Sequence, residues 1–171
     1  MKQHFAMFAA YNAWANRVLY ACAAKLPDSD YRADRGAFFG SVHGTLNHLL
    51  LADRLWMYRF TGQGPTYPAL DLILYDDLAV LDQARQAEDA RILAWIDGLE
   101  DGDLARRFTY RTITNPSDIT QPLAPALAHF FNHQTHHRGQ AHALLTAIGG
   151  RAAASSLDMI LFQRETGLGL G

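Results

Sequence analysis

Between Pro122 and the Gly149-Gly150 pair, apolar residues recur at three- and four-residue intervals with no break. That pattern demands one long helix over Leu123 to Ile148, with proline in its first turn and glycine at its end. Inside it lies Asn132-His133-Gln134-Thr135-His136-His137-Arg138-Gly139-Gln140, three histidines in a segment that otherwise reads as an apolar face. His133 and His137 are four residues apart, so they project from one side of the helix, one turn apart. Ala126, Phe130, Leu144 and Ile148 share that side. Two imidazoles spaced in this way can reach one metal ion without bending the backbone.

Other helices follow from the same periodicity. Phe5, Phe8, Tyr11, Ala15, Val18, Leu19 and Cys22 mark a first helix that stops near Leu26, ahead of Pro27. Residues 27 to 40 read as a polar connection, and Ser41 as the N-cap of a second helix reaching about Phe60. The Gly- and Pro-rich residues 61 to 68 read as a loop, and residues 76 to 97 as a third helix. Residues 108 to 114 alternate like a strand, Asn115-Pro116-Ser117-Asp118 signals a turn, and Ile119-Thr120-Gln121 returns as its partner. A short helix closes the chain over Leu157 to Glu165, followed by a flexible glycine-rich tail. The expected fold is all-α: a four-helix bundle with a long crossover and a small β-hairpin between helices three and four, in one domain over residues 1–171.

His48 lies on the apolar side of the second helix, beside Gly44, Thr45, Leu51, Ala52 and Leu55. Each unsatisfied ring nitrogen buried among such residues costs roughly 1–3 kcal/mol, and a shared metal ion would satisfy one on each ring. His129 and His133 form an equally spaced alternative pair, and His136 flanks the cluster. Few carboxylates fall on the core stripes, so neither a di-iron site nor a zinc-protease helix is indicated. Asn47, Asn132 and Gln140 are polar neighbours suited to orienting ligands, Trp14, Trp56 and Phe130 are candidate pocket walls, and Arg138 is a candidate anion receptor.

Bulk properties narrow the function classes. Lys and Arg number 15 against 17 Asp and Glu, with no basic block, so no nucleic-acid surface is indicated. His4, Asn12, Asn16 and Arg17 interrupt what superficially looks like an N-terminal signal segment. No window approaches the about 18 apolar residues of a membrane span. With Cys22 the single cysteine, a cytoplasmic protein is expected.

Three stretches together resemble the DinB family, including its YfiT-like members: Tyr11-Asn12-Ala13-Trp14-Ala15-Asn16, Gly44 through Asp53, and Asn132 through Gln140. The resemblance implies an up-down-down-up helical bundle and selects His48, His133 and His137 as metal ligands over His129 and His136. It also implies a divalent ion, zinc or nickel, a homodimer, and in some relatives thiol-dependent S-transfer from a small-molecule thiol to an electrophile. An open metal position also allows hydrolase-like chemistry, the alternative expectation is a non-catalytic metal-binding protein, and the resemblance adds DNA-damage induction in one branch of the family.

Overall fold

A computed structural model describes residues 1–170; Gly171, the end of the glycine-rich tail, lies outside the described residues. The chain is all-α apart from one hairpin. Its elements are α1 (Lys2–Ala23), α2 (Asp28–Arg32), α3 (Val42–Thr61), α4 (Leu78–Asp97), β1 (Arg107–Arg111), β2 (Asp118–Pro122), α5 (Leu123–Gly149) and α6 (Met159–Thr166). Helix α2 occupies part of the stretch expected to be a plain connection. No helix among the described residues is long and apolar enough to cross a membrane.

Local chemistry sets the helix limits. The Ser41 hydroxyl accepts the Gly44 N–H at 3.0 Å, and the Asp77 carboxylate accepts the Val80 N–H at 2.9 Å, starting α3 and α4. Helix α3 stops where Gly62 turns left-handed at φ 71° and its N–H donates to the Tyr58 carbonyl. The hairpin pairs β1 and β2 antiparallel, with Thr109 opposite Thr120. It is shorter on its first strand than the alternation suggested, because the Thr112 hydroxyl accepts the Ser117 N–H and closes the turn there.

The four long helices pack in a closed ring: α1 lies against α4 and α5, and α3 against α5 and α4. One apolar cluster joins Phe5 of α1 to Phe60 of α3, Ile96 of α4 and Leu127 of α5. A second joins Leu19, Leu46, Leu81 and Leu145 of the same helices. Therefore α3 and α4 both run antiparallel to α1 and α5, and residues 62–77 must travel the length of α3 to connect its end to the start of α4.

Between the two clusters lies a buried polar belt that the sequence reading missed. Asn12, Asn16, Asp53, Arg85, Asp89, Gln134 and Arg138 are all buried, Asp53 and Gln134 completely. Arg85 sits 2.8 Å from Asp53 and 3.0 Å from Asp89. Asn16 donates to Asp89 at 3.0 Å, Gln134 donates to Asp53, and Arg138 donates to Asn12. The expectation that core stripes carry few carboxylates is thus corrected: Asp53, Glu88 and Asp89 are buried, because Arg85 of α4 pairs with Asp53 of α3 and with Asp89 of its own helix, and Arg91 and Arg54 flank Glu88.

Candidate metal centre

His48 on α3 meets His133 and His137 on α5 at the seam between these helices. One ligand-capable atom from each ring lies within 4.8 Å of the others. The Nε2 atoms of His48 and His133 are 3.4 Å apart. Tetrahedral imidazole ligands at about 2.05 Å from a zinc-sized ion lie about 3.3 Å from each other, so this pair is already at coordination spacing. His48 and His137 are buried and His133 is half-buried.

Two neighbours fix the ring orientations. His48 Nδ1 lies 2.8 Å from the carbonyl oxygen of Leu70, in the crossover. A carbonyl only accepts, so Nδ1 carries the hydrogen and the neutral ring presents a bare lone pair at Nε2. His137 Nδ1 likewise donates to Gln140 Oε1 at 2.8 Å, while the Gln140 amide nitrogen lies 3.2 Å from His136 Nε2. Burial lowers the His48 pKa to about 4 and the His133 pKa to about 3, and lowers that of His137. The neighbouring imidazoles reinforce the shift in each case. Neutral rings converging on one point, with the His48 and His137 hydrogens held on Nδ1 by Leu70 and Gln140, are a donor set that could hold a metal cation.

The walls are built by close approaches. The Phe39 ring stacks on His48 with centroids 3.8 Å apart and also meets His137 edge-on at 5.4 Å. Gly44 permits this, since a Cβ there would sit 2.1 Å from the Phe39 carbonyl oxygen. Asn47 pins the crossover: its side-chain oxygen accepts the N–H groups of Leu74 and Tyr75 at 2.8 and 3.0 Å. A cavity of about 470 Å³ opens beside His48 and His133, with Trp56, Arg59, Tyr110 and His129 in its wall.

Against known sequences, the profile of the DinB family matches residues 1–164. The chain belongs to the DinB family. It is also similar to Protein DinB of Bacillus subtilis (strain 168), 27% identical over 173 residues that cover 91% of this chain and 92% of the relative.

Within this DinB chain the other candidate residues separate clearly. Gln140 orients His137, and Asn47 anchors the crossover that carries the Leu70 carbonyl. Asn132 is exposed and lies in a different depression, beside Phe8 and Phe131. Trp56 lines the cavity, whereas Trp14 donates to Glu165 and packs on α6, and Phe130 is interior packing against Phe60. Arg138 is buried in the polar belt over the Tyr11 ring, so it is no anion receptor. One residue past His137, it points about 100° away, into the interior. His129 faces the cavity and His136 is exposed; neither belongs to the converging trio.

Proposed function

We propose that this DinB protein is a four-helix bundle of the family's up-down-down-up type whose His48, His133 and His137 hold one divalent ion, zinc or nickel. The observation that carries this reading is the convergence of three imidazoles, two of which have their outer nitrogens engaged by Leu70 and Gln140. The His48 and His133 Nε2 atoms, 3.4 Å apart, share at most one hydrogen, whereas a cation between them would give both lone pairs a partner. Three protein donors rather than four leave room for an outside molecule, the arrangement of reactive rather than purely structural sites.

A divalent ion held there supplies Lewis acidity and makes a small nucleophile, water or thiol, easier to deprotonate at neutral pH. The chain's residues then have distinct tasks. The three histidines bind, Leu70 and Gln140 keep the rings in register, Phe39 shields His48 from solvent, and the cavity admits a small electrophile. The reading is a metal-dependent enzyme acting on small molecules, by thiol S-transfer or hydrolysis.

Metal analysis of protein purified without a histidine tag tests the centre. A stoichiometric divalent ion should be present in the wild type and lost in both His48→Ala and His133→Ala. Unchanged metal content in the two variants refutes the ligand assignment. A conjugation assay with small thiols and electrophiles then separates catalysis from mere metal retention.

A further inference from the structure

We propose that the cavity beside the histidine cluster selects a small amphipathic carboxylate, with Arg59 receiving the carboxylate and the histidine end facing the reacting group. This rests on the metal-centre reading for which end reacts, but the anion receptor stands on its own geometry. Arg59 is on α3, eleven residues beyond His48; at about 100° per residue the two share a face, separated by about 16 Å along the axis. The same cavity touches both side chains.

The guanidinium is held flat and ready. It lies over the Trp56 ring at 4.6 Å and the Tyr110 ring at 4.7 Å. One terminal nitrogen makes only a long 3.4 Å contact to the Arg111 carbonyl, and the buried Nε has no hydrogen-bond partner. Among the described residues no carboxylate is paired with it, unlike Arg54, which has Glu88 at 3.7 Å, and Arg85, which has Asp53 and Asp89. A guanidinium cannot shed its charge by deprotonation, so a half-buried one without an anion has an unmet requirement. Its planar edge matches a carboxylate through two parallel hydrogen bonds.

A continuous aromatic wall links that edge to the histidines. Trp56 lies 5.1 Å from the His129 ring, and His129 lies 5.8 Å from His133. Leu55 completes an apolar side, and the hairpin turn contributes Thr112 and Asn115 opposite. The occupant this describes has one anionic head, a flat or aliphatic body, and a reactive end reaching the cluster.

Binding of phenylbutyrate and its neutral isostere phenylbutyramide, measured by calorimetry on EDTA-treated and metal-loaded protein, tests the proposal. The EDTA-treated wild type should prefer the anion by about ten-fold, the worth of one charge-assisted hydrogen-bonded pair. Arg59→Met and Arg59→Gln should lose the preference while keeping the wild-type metal content. No preference in the wild type, or an undiminished one in either folded variant, overturns the assignment. Because the EDTA-treated protein carries the decisive comparison, failure of the metal centre would appear separately, as metal content indifferent to His48→Ala.

Discussion

Helices α3 and α5 carry two buried polar clusters within a few residues of each other, and the two differ in what they lack. In the belt, Arg85 faces the carboxylates of Asp53 and Asp89, and Asn16, Gln134 and Arg138 donate to acceptors within it, although Arg85 Nε, Arg138 Nε and Gln134 Oε1 keep no hydrogen-bond partner. In the seam, His48, His133 and His137 present the same kind of group to one another. Burial alone therefore says little about ligand binding. A polar cluster asks for a partner when its members cannot satisfy each other.

The comparison breaks most visibly at Arg85. Arg85→Met leaves Asp53 and Asp89 facing each other without a cation in the interior, which should cost about 3–5 kcal/mol in chemical denaturation. A loss below 1 kcal/mol would mean the belt is not an ionised network.

Acid should reach the seam next. In the metal-free protein the folded pKa values of His48 and His133, about 4 and 3, lie below the roughly 6.5 of an unfolded imidazole. Between those limits the unfolded chain binds more protons, so stability is full above pH 6.5 and declines as pH falls toward 4 and 3. His48→Leu/His133→Leu should flatten this decline in pH-dependent urea melts, and an unchanged slope would remove the histidines from the account.

The gentlest change is Gln140→Ala. It leaves three histidines but frees the His137 ring, so metal affinity should fall about ten-fold in chelator competition, with the melting temperature nearly unchanged. Wild-type affinity in this variant would deny Gln140 an orienting role.

Much of this was readable from the chain. Ser41, Pro122 and Gly149-Gly150 bound their helices through local backbone chemistry, which requires no knowledge of neighbours, whereas α1 ends at Ala23, before the stop expected near Leu26. His133 and His137 were paired by one helix's own geometry. His48 is placed on an apolar face by its own helix, but its partnership with His133 and His137 is fixed only by family resemblance, because its meeting with α5 depends on how two distant segments pack. The belt was hidden for the same reason: Asp53, Arg85 and Asp89 look like solvated charges until their partners on other helices are known. Arg138 is not the anion receptor that the sequence suggests, because its offset of about 100° from His137 turns it into the interior. Arg59 escaped notice because its aromatic neighbour Tyr110 comes from the hairpin.

The oxygen that sets the His48 tautomer belongs to the main chain of residue 70. Every amino acid supplies that atom, so point substitutions at 70 keep the acceptor so long as the path of the backbone is undisturbed. Deleting or inserting a residue between the Gly62 turn and the Asn47 anchor points at 74 and 75 would slide it off register. Length, rather than composition, is what this stretch of chain has to preserve.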